Sequence, residues 1–223
     1  MMISPETFYE MNLKGKSAEE IMAVINGLKR KISKLKNIIE HPNYPAREVA
    51  IFPSESTQVS LSRWYLERAK QALEEAGGTY VSSAAEKKAI DFDNNIPFIN
   101  KIEFCIGGFF DGFKNKTYTI DGDEIHIHIE HSYIPELSNV GDDKLEKPDK
   151  DIFLDTLEEL HIGEWRKHYD LKRYGYFVMD GTQWHLEIYF SNGHKPVKIY
   201  GDNAYPYNFD KLLDLFEINE AYS

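Results

Sequence analysis

A single cysteine, Cys105, among 223 residues leaves no partner for an internal disulfide. It also excludes every zinc site built from several thiolates. No apolar run approaches the ~20 residues that cross a bilayer as a helix. The opening residues, Met1 to Leu13, lack the basic-then-apolar layout of a secretory signal. Phosphate and dinucleotide loops are missing as well: Gly107-Gly108 has neither the spaced Gly-Lys of a phosphate loop nor a helix pattern behind it. Neither a nucleophile elbow nor a His-Glu-x-x-His pair occurs. Basic charge is scarce, and the net charge is −11. Through Gly78, eleven Lys and Arg face ten Asp and Glu, whereas beyond it fifteen face twenty-seven. So acidic a second part lacks the cations that displace counterions from DNA or RNA phosphates. It suits a basic partner, or simply solubility. What is present, 42% hydrophobic and 13% aromatic residues, is material for a folded core. The expected setting is the cytoplasm, with no membrane and no direct nucleic-acid contact.

The first third of the chain reads as helices. Ser4-Pro5-Glu6 sets a capping serine ahead of a proline at the first helical position and predicts a short helix over 5–11. Gly15 breaks it. Ser17-Ala18-Glu19-Glu20 is a capping box, and the helix it opens runs to about Glu40, where His41-Pro42 stops it. Ile21, Ile25, Leu28, Ile32, Leu35 and Ile39 recur every three or four residues, a heptad seam flanked by Lys29, Arg30, Lys31, Lys34 and Lys36. A loop is expected over 41–53 and a second helix over 57–76. Val59, Ser62, Leu66, Ala69, Leu73 and Ala76 repeat the spacing there, and Gly77-Gly78 suits a left-handed end. The two seams predict an antiparallel helical hairpin, with Glu67, Glu74 and Glu75 facing the lysines. The alternative is a homodimeric coiled coil through Ile25–Ile39.

Residues 79–100 show little periodicity and read as a linker ending at Ile96-Pro97. Strands are expected over 101–106, 116–120 and 124–131, with Asp121-Gly122 as a hairpin turn. A loop is expected over 135–150, then a helix over 151–160 with Gly163 interrupting before Trp165–Tyr169. From Gln183 to Phe190 apolar and polar residues alternate, the signature of a strand buried on one side. Ser191-Asn192-Gly193 turns the chain into a second strand ending at Tyr200. Asn208 then caps a helix carrying Phe209, Leu212, Leu213 and Phe216 on one face. The fold class is α+β, in three parts. A helical hairpin occupies 1–82, a linker 83–100, and a sheet domain 101–223. The sheet is mostly antiparallel, of four or five strands, with helices packed on one face.

The run DGTQWHLEIYFSNGHKPVKIYGDNAYPYNFDKLLDLF resembles the C-terminal part of a group of uncharacterised bacterial proteins. Members of that group often carry lysine-rich, leucine-spaced helices near the N-terminus, as in GKSAEEIMAVINGLKRKISKLK here. The resemblance covers about half of the chain and implies a shared fold and no activity.

Chemistry concentrates on Glu124-Ile-His-Ile-His-Ile-Glu-His131. Alternation sends Ile125, Ile127 and Ile129 inward and sets Glu124, His126, His128 and Glu130 together on the opposite face. His-x-His on a strand points two imidazoles the same way, a spacing used for zinc and iron. The candidate metal ligands are His126, His128, Glu130 and His185, with Glu187 a further possibility if its strand lies alongside. The same alternation describes any wet sheet face, and a solvated or partner-covered surface is the preferred reading. Cys105 falls on that face by parity, either as half of a cysteine–histidine pair or as a small packing residue. Candidate partner contacts are Glu124, Glu187, Tyr189, Tyr205 and Tyr207, the last two from an aromatic loop that alternatively packs over the sheet. The expected function is a non-enzymatic bacterial interaction or regulatory protein without a cofactor. It would bind a protein partner or self-associate no further than a dimer. The alternative is a small metal-dependent enzyme using the His-x-His strand.

Overall fold

The computed structural model describes residues 2–44, 52–110, 112–132 and 148–218. The chain divides into two compact units, Met1–Ser82 and Ser83–Ser223. Most of the loops expected over 41–53 and 135–150 lie outside the described residues.

The first unit holds α1 (Pro5–Asn12), α2 (Ala18–Ile39) and α3 (Glu55–Glu75). Each begins on a serine whose hydroxyl accepts a backbone N–H of the first turn: Ser4 from Thr7, Ser17 from Glu20, Ser54 from Thr57. Glu20 completes the box by accepting the Ser17 N–H at 2.8 Å. α2 buries Ile21, Ile25, Ile32 and Leu35, while Leu28 and Ile39 are half-buried. α3 sets Val59, Ser62, Leu66, Ala69 and Leu73 against that seam, and the small residues among them allow close approach. The pair is antiparallel. A Cβ on Gly78, beyond α3, would lie 3.1 Å from Ala18 at the start of α2. At the other end the Tyr44 hydroxyl donates to Glu55 at 3.2 Å. α1 covers α3 by stacking Phe8 on Tyr65, ring centroids 4.4 Å apart.

One expectation about this unit is corrected. Glu67 pairs with Lys70 at 2.8 Å and Glu75 with Arg68 at 3.2 Å, all within α3. Charges on one face of a helix are close neighbours, whereas the seam between helices is filled, apart from Ser62, with apolar side chains.

The second unit begins with a further correction, because the stretch expected as a linker folds as α4 (Ala84–Asn95). Ser83 and Glu86 form its capping box, and Ala89 and Phe92 are buried. The sheet follows: β1 (Ile99–Gly108), β2 (Gly112–Asp121), β3 (Glu124–His131), β4 (His168–Asp170), β5 (Gln183–Phe190) and β6 (Val197–Asp202), with α5 (Lys150–Glu159) after β3 and α6 (Phe209–Leu215) after β6. The strand order is β3-β2-β1-β5-β6-β4, six strands instead of four or five. Every neighbouring pair is antiparallel except β4–β6. The additional strand, β4, is only three residues long and pairs with a segment about thirty residues later, which no local pattern announces.

The helices pack on the sheet. Ile102, Phe104, Tyr118, Trp184, Leu186 and Ile188 face Phe92, Phe153, Leu157, Leu212 and Phe216. Lys116 is the polar exception on this face. Its ammonium donates to the Phe216 carbonyl at 2.5 Å, and the Tyr118 hydroxyl donates to the same oxygen at 3.2 Å. Burial pushes the Lys116 pKa below its ordinary value. The carbonyl at the end of α6, the negative end of the helix dipole, partly compensates the buried charge. Among the described residues no helix is long and apolar enough to cross a membrane.

Candidate functional site

The face of the sheet opposite the core is polar, and strand register decides which of its side chains meet. One row of paired residues runs His128, Thr117, Glu103, Glu187, Lys198 across five strands. The next runs Glu130, Asn115, Cys105, His185, Tyr200, His168. His126, His128 and Glu130 do share this face. His128 Nε2 lies 3.2 Å from Glu130 and His126 Nε2 lies 3.8 Å from Glu124. His185 and Glu187 share the face but not the place. β2 and β1 stand between β3 and β5, so at ~4.8 Å per strand they are ~14 Å from the β3 histidines. The register therefore does not bring a third ligand to His126 and His128. Among the described residues no group of three His, Cys, Asp or Glu lies close enough to hold a metal ion.

Cys105 is the direct cross-strand partner of His185. Its side chain is nevertheless buried, and burial pushes the thiol up to about 11. Burial thus disfavours the thiolate that nucleophilic attack requires.

The centre of the face is a closed network. The Tyr189 hydroxyl lies 2.6 Å from Glu187 Oε2 and 2.9 Å from Glu103 Oε2. Lys101 donates to Glu103 at 2.8 Å and Lys198 to Glu187 at 2.6 Å. The hydrogen bond from Lys101, helped by Tyr189, holds the Glu103 carboxyl below its ordinary value. At Glu187 burial pulls the other way, but hydrogen bonds from Lys198 and Tyr189 outweigh it and the net shift is downward. Accepted chiefly by Glu187, the Tyr189 proton is held well above the usual tyrosine range. Carboxyls lowered on folding add stability that is full above their unfolded value and is lost as pH falls through the folded values. Glu187→Gln is accordingly expected to cost about 1–2 kcal/mol at pH 7, allowing for solvent screening. The difference between wild type and variant should shrink as pH falls through the acid range, as read by urea denaturation at pH 7 and at acid pH.

The concave part of the face lies at one end of the sheet, where the β1–β2 turn meets the segment leading into β5. A cleft of about 430 Å³ is lined by Cys105, His168, His185 and Tyr200, among others. It adjoins a second of about 240 Å³ lined by Phe109, Val178, Met179 and Asp180, and Phe113, Gln183 and Asp202 border both. Its apolar residues stand out into solvent: Phe109 is 71% exposed and Met179 93%, and near them in the chain Phe110 is 76% and Phe177 77% exposed. Phe109 and Phe110 meet edge to face at 5.4 Å. Asn203 ties the end together, its side-chain oxygen accepting the Thr182 N–H at 2.8 Å. A Cβ on Gly181 would lie 1.9 Å from that same oxygen, so the approach requires glycine. Among the described residues, acids but no Lys or Arg line the two concavities.

Of the two readings of the aromatic loop, partner contacts or packing, its rings follow the second. Tyr207 is buried, and the Tyr205 ring packs 4.9 Å from Phe209. Glu124 stays exposed on β3, and Glu187 and Tyr189 are committed to the central network. The rim residues carry a signal that periodicity searching passes over. Phe109-Phe110 and Phe177-Val178-Met179 are apolar runs beside turn glycines that fit neither a strand nor a helix.

Fold and face together define an α+β protein with a two-sided sheet, one side core and the other polar with an apolar end. No family model, no curated protein and no solved structure matches the chain.

Proposed function

We propose that this is a non-enzymatic protein-binding module and that the apolar end of the sheet is its docking surface. The observation that carries the reading is that Phe109 and Met179, each more than two-thirds exposed, line one cleft with Val178, and the exposed Phe110 packs against Phe109. Exposed apolar patches with a polar rim mark interaction sites, and buried aromatic anchors dominate interface energies. Asp180 and Asp202 at the rim, in a unit whose charge is strongly acidic, favour a basic partner. The fitting ligand is an extended segment that seats an apolar side chain between Phe109 and Met179 and carries Lys or Arg toward the two aspartates. The burial of Cys105 and the pairing of the central carboxylates with lysines favour binding over catalysis. A bacterial cytoplasmic setting is part of the same proposal.

Peptide display against the wild type and against Phe110→Ser/Met179→Ser tests the reading. Enriched sequences should pair an aromatic or aliphatic residue with Lys or Arg. The double variant should bind them at least tenfold more weakly, a loss of about 1.4 kcal/mol. Peptides that bind both proteins equally, or a selection without enrichment, would reject it.

A further inference from the structure

The smaller cleft at the apolar end joins apolar walls to acidic groups. Phe109, Phe113, Val178 and Met179 line it, and Asp180, Gln183 and Asp202 supply its polar atoms. Gln183 and Asp202 are direct cross-strand partners at the ends of β5 and β6, which sets their Cβ atoms ~5 Å apart on one face. Asn203, in the left-handed region at φ 51°, holds this corner. Its side-chain oxygen accepts the Thr182 N–H at 2.8 Å, and its side-chain nitrogen donates to Asp202 Oδ1 at 2.9 Å. Asp180 Oδ1 accepts the Gly181 N–H at 2.9 Å. Each carboxylate keeps a second oxygen, and among the described residues neither forms an ion pair.

We propose that this cleft receives an arginine side chain, its guanidinium between Asp180 and Asp202 and its plane against the ring of Phe113. Such a site deepens the docking surface proposed above and rests on that reading, narrowing the partner's cation to one chemistry. Three cations compete for the place. A quaternary ammonium suits a cage of aromatic faces, but it has no N–H to offer two carboxylates and an amide. A lysine ammonium has three donors, yet it is compact and strongly hydrated and gains little from apolar walls. A guanidinium is planar, weakly hydrated and forked. It stacks on an aromatic ring while its edges donate to carboxylates on two sides. Asp180 and Asp202 come from different segments, one ahead of β5 and one at the end of β6, and the Gln183 side-chain oxygen offers a further acceptor. The methylenes of the same side chain then lie along Val178 and Met179. Because Asn203 already fixes Asp202, little ordering is left for binding to supply.

The probes are N-acetyl-arginine methylamide, N-acetyl-lysine methylamide and tetramethylammonium, each titrated into the full chain and followed by amide chemical shifts. The arginine compound should shift Gly181, Gln183 and Asp202 saturably and bind at least ~threefold more tightly than either other probe. Asp180→Asn/Asp202→Asn, which keeps the shape and removes both charges, should abolish that preference. Equal or tighter binding of either other probe, no saturable shift, or a preference that survives in the double variant would overturn the proposal. Each of those results leaves the docking reading to its own test, since display can enrich a basic segment through Phe110 and Met179 whichever cation it carries. Conversely, an arginine preference without any enriched peptide would reject the docking reading and keep the arginine site.

Discussion

Replacing Ile25 with aspartate is expected to remove the cooperative unfolding of the helical unit. Ile25 is fully enclosed between α2 and α3. Its loss forfeits about 1.5–3 kcal/mol of apolar burial, and a carboxylate there is stranded without water or a countercharge. The combined penalty, about 4 kcal/mol or more, approaches the whole stability of a small domain. Leu28 is the instructive comparison. It belongs to the same heptad seam but is half-buried, so Leu28→Asp lets its carboxylate reach water and should cost about 1–2 kcal/mol. Urea titrations of the full chain followed by far-UV circular dichroism measure both. Equal penalties at the two positions would mean that the seam is not packed as described.

Trp184→Ala should be the most damaging single truncation in the sheet unit, costing about 3–5 kcal/mol. The indole lies on β5 between Phe209, Tyr169 and Trp165, at centroid distances of 4.7, 5.9 and 6.5 Å. Its N–H donates to the Ala204 carbonyl at 3.0 Å, fixing the chain as it leaves β6. Gly201 on the neighbouring strand makes room for the ring, since a Cβ there would come within 1.9 Å of the indole nitrogen. Truncation therefore opens a cavity, strands a carbonyl and loosens the turn that carries Asp202. Chemical denaturation reads the loss, and a penalty below about 1 kcal/mol would show that the cluster is dispensable.

How far the residues announced this molecule depends on the range of the interactions involved. The α2 seam, its capping box and the alternation of β3 and β5 are local, and each was legible from spacing alone. α4 was legible too, in Ser83-Ala84-Ala85-Glu86 followed by Ala89, Phe92 and Ile96, but its lysines and aspartates obscured the stripe. β4 was not legible, because three residues pairing in parallel with a strand some thirty positions away leave no periodic trace. Strand order was the decisive unknown. His185 could have stood beside His128 had β5 followed β3 in the sheet. The pairing of β5 with β1 instead sets it opposite Cys105. The apolar end arises from two runs about seventy residues apart that only the β1–β5 pairing brings together.

The most direct test of the docking surface is amide chemical-shift mapping of the full chain during titration with a peptide recovered by display. The predicted perturbations cluster on Phe109, Phe113, Gln183, His185 and Asp202 and leave His126 and His128 unmoved. Shifts centred on β3 or on the helical unit, or no shifts at saturating peptide, would contradict the assignment.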